Sequence, residues 1–269
     1  MFWFMEGLCF LPTFLVIWSS STFIVSYLIA LFEDDVDVVF PYISDTGAKP
    51  PESCVFGLMT VITAFAGTAT MYARYKFVEK LNETAGGVPP VLNQAAFWIG
   101  MLSCLGMCFV ATFQETTITA VHDAGALLFF VSGVLYTILQ SIISYKAFPY
   151  GCSLALCRVR TGIATIAFLA VFPTVVCAVF VTQTTLHRKT KDEDYVFHLV
   201  SAVSEWIVAF SFIFFFFTYI HDFKVSFQSP LCHWGRNDSP LFECFYFSLS
   251  CFLQKFTLKL RTEFVDYSR

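Results

Sequence analysis

Residues 124–145 read AGALLFFVSGVLYTILQSIISY, twenty-two positions without one Asp, Glu, Lys or Arg. The hydrocarbon core of a bilayer is about 30 Å thick, and a helix needs roughly 20 apolar residues to cross it. A helix on the surface of a soluble domain would carry a charged face, and this one has none. Four more stretches are equally free of charge, 7–32, 53–73, 84–114 and 161–186, and a sixth, 195–220, is interrupted only by Glu205. Backbone N–H and C=O groups cannot stay unpaired in lipid, so each stretch is expected to be helical. The predicted fold is an all-α membrane protein, a six-transmembrane-helix bundle with spans at about 8–32, 54–73, 91–113, 124–145, 161–184 and 196–220.

Composition agrees with that reading. The chain is 57% hydrophobic and 13% charged, where a soluble domain carries about a quarter charged residues. Glu6 interrupts the start and no small-residue cleavage site follows the first run, so 8–32 reads as a retained helix rather than a removed signal peptide. Lys and Arg concentrate in cytosolic segments. Twelve basic residues, among them Arg74, Lys76, Lys80, Lys146, Arg158, Arg160 and Lys224, fall on the side of the second loop, fourth loop and tail, against four (Lys49, Arg188, Lys189 and Lys191) on the other. Both termini are therefore expected to be cytosolic.

Several classes of chemistry leave no trace. The chain has no Gly-rich phosphate loop, no G-x-S-x-G and no basic nucleic-acid patch, so neither a cofactor nor a nucleic-acid partner is implied. The ten cysteines show neither a C-x-x-C pair nor zinc spacing. Cys152 and Cys157, in a cytosolic loop, are either plain thiols or palmitoylation sites. Ala96, Gly100, Cys104 and Cys108 recur every four residues on the third helix, a face that lets a neighbouring helix approach closely.

The first extracytosolic loop carries turn chemistry: Pro41, Pro50 and Pro51 stiffen it, and Asp45 and Gly47 suit a tight turn. Its P-Y-I-S-D-T-G at 41–47, followed by P-P-E at 50–52, resembles the damage-regulated autophagy modulator (DRAM) family within the Frag1/DRAM/Sfk1 group. The likeness continues in T-M-Y-A-R-Y-K at 70–76, V-A-T-F-Q-E at 110–115, V-H-D-A-G at 121–125, L-Q-S-I-I-S-Y-K at 139–146 and T-Y-I-H-D-F at 218–223, and covers about residues 1–224. The resemblance implies a six-helix protein of lysosomal membranes that promotes autophagy and links it to cell death. The implied partners are the bilayer and proteins of autophagy or lysosomal trafficking. No catalytic residues come with the family.

The sixth helix has a polar stripe: Asp194, His198, Ser201 and Glu205, at i, i+4, i+7 and i+11, which share one face. Glu205 lies ten residues beyond Tyr195, about 15 Å into the membrane at 1.5 Å per residue, where an ionisable group is costly and points to function. Glu115, His122 and Asp123 of the third loop lie on the same side, as do Asp45 and Glu52 of the first. Each has a plain structural reading as well. Asp123 suits a helix N-cap, His122 a loop surface, His198 a hydrogen bond to a neighbouring helix, and Glu205 either a pairing with His198 or a basic residue or a protonated, unpaired carboxyl. The functional reading is an extracytosolic site for a proton, a cation or a lipid head group. It serves a non-enzymatic regulator or adaptor, or alternatively a lipid-modifying enzyme or a small-molecule or ion transporter.

Residues 225–254 break the resemblance, which resumes with a short cytosolic tail at 255–269. The insert is aromatic, and its apolar part, 244–253, is too short to span. Lys224-Val225-Ser226 fits a splice-donor consensus, and Phe252-Leu253-Gln254 fits an acceptor behind pyrimidine-rich codons, so the insert reads as translated intron. The alternative is an isoform-specific interfacial tail.

The charge asymmetry places the sequons at Asn82 and Asn237 in the cytosol, and neither is expected to carry a glycan. A glycosidase-sensitive mass shift that disappears in Asn82→Gln would reverse the orientation.

Overall fold

Six helices follow one another in the computed structural model, which describes residues 9–38, 40–181, 186–188 and 192–228, with side chains to Phe223. They are α1 (Phe10–Phe32), α2 (Glu52–Ala85), α3 (Pro90–Thr112), α4 (Thr119–Ala147), α5 (Leu154–Val179) and α6 (Tyr195–Gln228). All six are long and apolar enough to cross a membrane, and no strand occurs among the described residues. The insert at 225–254 (apart from the backbone of its first residues, which continue α6), the tail at 255–269 and the Asn237 sequon lie outside the described residues.

Local chemistry sets several helix ends. Pro90 opens α3 at a position whose N–H would have no intrahelical partner anyway. Ser153 caps α5, its Oγ accepting from the Leu156 N–H at 3.2 Å. Gly86 closes α2 at φ +68°, where its N–H reaches the Asn82 carbonyl.

α4 and α6 form the interior of the bundle. Half of the apolar window of α4 and 56% of that of α6 are buried, against 28% for α1, α3 and α5. Ile17, Trp98, Leu169 and Phe214 are exposed on outer faces, as lipid contact requires. The small-residue face of α3 packs inward: Ala96 and Cys104 are buried, and a side chain at Gly100 would strike the Met71 sulfur and the Tyr136 ring. The closest approach is α3 on α4. A Cβ at Gly106 would stand 2.5 Å from the Phe129 nitrogen, so only glycine fits there.

The helices run further than the charge-free stretches, which changes the reading of two cations. α2 continues to Ala85 and α5 starts at Leu154. Arg74 and Arg160, counted from sequence among loop residues, are fully buried inside helices. They share one acceptor on α6: Asp222 Oδ2 receives Arg74 Nη1 at 2.6 Å and Arg160 Nη2 at 2.7 Å. Both guanidinium carbons also lie just over 5 Å from the Tyr219 ring centre, a cation–π arrangement. The Tyr219 hydroxyl bonds that of Tyr136 at 2.9 Å. Gln140, Ser144 and Thr218 supply further hydrogen-bond acceptors to the two arginines. Cys152 and Cys157 fit the plain-thiol reading rather than that of palmitoylation sites. Both are buried beside this knot, with Sγ atoms 3.1 Å apart, and so are not presented for acylation.

A shared buried carboxylate of this kind cannot be removed cheaply, because two guanidiniums would lose their counter-charge at once. Asp222→Asn is expected to destabilise the bundle by about 3–5 kcal/mol, read as a lower melting temperature of purified protein and reduced abundance in cells. A wild-type melting curve would show that the knot does not hold α2, α5 and α6 together.

Candidate functional site

The opposite end of the bundle is closed by the first loop, which descends between helices instead of lying across their tips. Glu205, ten residues into α6, accepts the Ile43 N–H on Oε2 at 3.1 Å. Trp206, its neighbour, donates from Nε1 to the Pro41 carbonyl at 2.9 Å. Loop backbone therefore reaches about 15 Å along α6, where it survives only if protein groups satisfy it. Ile43, Asp45, Thr46 and Ala48 are all buried. The loop tightens into a single 3-10 turn, Asp45–Gly47, and Asp45 Oδ2 accepts the Tyr42 N–H at 3.1 Å. Thr46 ties it to α1 through the Ser26 hydroxyl at 3.0 Å. A Cβ at Gly47 would lie 2.4 Å from the Phe56 ring, so glycine is required by close approach.

The third connection meets the loop from the other side. Ser44 donates to Glu115 Oε2 at 2.8 Å, and Thr116 donates to the Ala48 carbonyl at 3.1 Å. His122 is buried on α4 with Nδ1 2.7 Å from the Phe113 carbonyl. It is neither loop surface nor a partner of α6. Asp123 lies inside α4, exposed, while Ile118 occupies the N-cap position, so the capping reading of Asp123 is corrected.

The α6 stripe does face inward: Asp194, His198, Ser201 and Glu205 are all buried. Ser201 donates to the Thr174 carbonyl of α5 at 2.7 Å. His198 lies edge-on to Tyr42 at 4.6 Å, with Nε2 3.8 Å from Asp45 Oδ2. Asp194 pairs with Arg188 at 3.4 Å. Among the described residues Glu205 forms no ion pair with a basic side chain; it accepts from the Ile43 amide. Glu52 stands apart from this group at the start of α2, accepting the Lys49 N–H at 3.2 Å. The structure thus brings Asp45, Glu115, His122, His198, Ser201 and Glu205 to one region. It adds Tyr42, Ser44 and Trp206, which sequence reasoning did not single out. The signal for them was the stiff P-Y-I-S segment next to a helix carrying a buried acid.

Two cavities open here. One, of about 290 Å³, lies between α4, α5 and α6 and is lined by Tyr42, Ser44, Glu115, Thr119, His122, Asp123, Ser201 and Glu205 on its polar side. The other, of about 110 Å³, runs into the apolar interior past Leu15, Phe56, Met71, Met107, Phe212 and Phe216. Both are lined by Ser44, His122, Ala126, Phe130 and Glu205. Among the described residues, no group of three or more His, Cys, Asp and Glu is arranged to hold a metal ion.

Burial raises two loop acids. Asp45 is pushed up to about 6, chiefly by loss of water, with the Tyr42 amide and Arg188 opposing. Glu115 is raised to about 7 by burial and then by the charge of Asp45. Both native values exceed the unfolded ones, so protonation favours the closed cap. Its stabilisation is complete below about pH 4 and is lost as pH rises through about 6 and 7. The melting temperature is therefore expected to be higher at about pH 5 than at about pH 8, and the difference should shrink in Asp45→Asn/Glu115→Gln. An equal pH slope in that double variant would show that other groups control the cap.

Residues 7–226 match the family described as the Frag1/DRAM/Sfk1/Cwh43P N-terminal domain. The chain is 51% identical over 221 residues to DNA damage-regulated autophagy modulator protein 1 of Mus musculus, covering 82% of this chain and 93% of that relative. It is 47% identical to the same protein of Xenopus laevis over 82% of this chain and 93% of the relative. To DNA damage-regulated autophagy modulator protein 2 of Mus musculus it is 42% identical, over 83% and 86% of the two chains. No solved structure matches the chain.

Proposed function

The chain belongs to the Frag1/DRAM/Sfk1/Cwh43P family, and from that membership we propose that it is a multi-pass lysosomal membrane protein that modulates autophagy and links it to apoptosis as a non-enzymatic regulator or adaptor. The observation that carries this reading is the extent of the likeness. Identity of 51% over 93% of a relative named as an autophagy modulator spans all six helices and the loop cap. Two features of the cap support it. The loop acids Asp45 and Glu115, raised to about 6 and about 7, are neutral in an acidic lumen and charged outside one. Two α6 side chains hold loop backbone, Glu205 at Ile43 and Trp206 at Pro41, which is the work of a scaffold. A regulator of this kind acts through the shape it presents to other proteins, and that shape follows the protonation of the cap.

The test is rescue in cells lacking the protein. Wild type should reach lysosomes and raise autophagic flux. Glu205→Leu, which leaves the Ile43 amide unsatisfied at a cost of about 1–3 kcal/mol, should lose that stimulation, whereas Glu205→Gln keeps an acceptor and should retain most of it. Residence in another membrane, or equal flux with and without the protein, would overturn the proposal. Accumulation of one specific metabolite or lipid product in isolated knockout lysosomes would favour enzyme or transporter over regulator.

A further inference from the structure

The two cavities share Ser44, His122, Ala126, Phe130 and Glu205 in their walls and so adjoin as the limbs of a forked chamber, which the cap residues Tyr42, Ile43, Ser44 and Glu115 help to line. The wider limb carries its carboxyl, hydroxyl and imidazole groups on one side of otherwise apolar walls, and those walls include Leu127 of α4 and Val179 of α5, both exposed. The narrower limb is walled by aliphatic, aromatic and thioether side chains. Glu205 and His122 stand where they join. A chamber with a polar mouth, an apolar stem and exposed apolar residues in its wall matches an amphiphile that enters sideways, head and tail together.

Size and charge narrow the class. Volumes of about 290 and about 110 Å³ place the chamber at the lower end of the range for drug-sized ligands, ~300–1,000 Å³, so one chain fits better than two. Among the described residues, three acids, Glu115, Asp123 and Glu205, line the mouth with one histidine, His122, and no Lys or Arg. Glu115 and Glu205 each engage Oε2 in the loop, with Ser44 and Ile43. An amine head can take the proton of a mouth carboxyl group and pair with the carboxylate this leaves, and a hydroxyl head can hydrogen-bond there, whereas a carboxylate or phosphate head gains no such counter-charge. We propose that the forked chamber binds a single-chain lipid with an amine or amino-alcohol head. The head would lie against Glu205 and Glu115, and the alkyl chain would run into the limb between Met107 and Phe212. The site is distinct from the protein contacts of a regulator, and the inference holds whichever cellular process the protein modulates.

The test uses the full chain in phosphatidylcholine nanodiscs and a long-chain amino alcohol with a diazirine in its alkyl chain. Light should attach this probe to α4 and α6 peptides that line the chamber, and unlabelled long-chain amino alcohol should compete. A chain-matched fatty-acid probe should label those peptides weakly. Glu205→Gln, which can still accept from Ile43, should cut labelling by roughly tenfold through loss of a charge-assisted bond. Ala126→Trp, which fills the fork from a position common to both limbs, should abolish it while the melting curve confirms a folded bundle. Equal labelling by the fatty-acid probe, labelling only on bilayer-facing residues, or unchanged labelling in a folded Glu205→Gln would each overturn the proposal. If neither variant folds, the wild-type comparison of the two probes decides it.

Discussion

A single hydrogen bond, from the Ile43 N–H to the Glu205 carboxylate, makes the cap end of this bundle possible. An amide without a partner at that depth costs several kcal/mol, and a carboxylate there is no cheaper. Each is tolerable because of the other. Once Ile43 is held, Pro41 falls within reach of Trp206, Asp45 closes its own turn, and Ser44 meets Glu115. A loop, unlike a helix, does not fill the space it enters, and the forked chamber is what remains around it.

α6 carries both of the structure's polar commitments. Glu205 and Asp222 are seventeen residues apart on it, about 25 Å at 1.5 Å per residue. One holds a loop and the other holds two neighbouring helices. A rotation of α6 that took Glu205 off Ile43 would also turn Asp222 away from Arg74 and Arg160. Rigidity of this helix is therefore a property of both ends together, which is consistent with its being the most buried of the six.

Much of this was legible in the chain, for physical reasons. Charge-free runs of more than twenty residues admit one solution in lipid, so the six helices were readable. The inward stripe on α6 was readable too, because an acid at that depth has nowhere else to face. Arg74 and Arg160 were misread as loop cations because positive-inside counting treats every arginine near a span end as solvated. Only the partner on a distant helix, Asp222, reveals that they are inside. The readings of Glu205 named a charged partner, a protonated carboxyl or a ligand, and none of them named the backbone amide that it meets. A backbone amide has no letter in a sequence, so no pattern of residue types announces it. Asp123 looked like a cap because it precedes an apolar run, yet the helix begins four residues earlier, at Thr119.

The arginine knot also bears on how the chain is made. α2 and α5 leave the ribosome before α6, so Arg74 and Arg160 are both synthesised ahead of the carboxylate they share. Until residue 222 emerges, the nascent bundle holds two guanidiniums with no Asp222 to receive them, a state that membrane quality control is built to notice. Assembly of the knot is therefore completed late, by the last helix, and a chain ended before residue 222 would leave both guanidiniums without the carboxylate that pairs them.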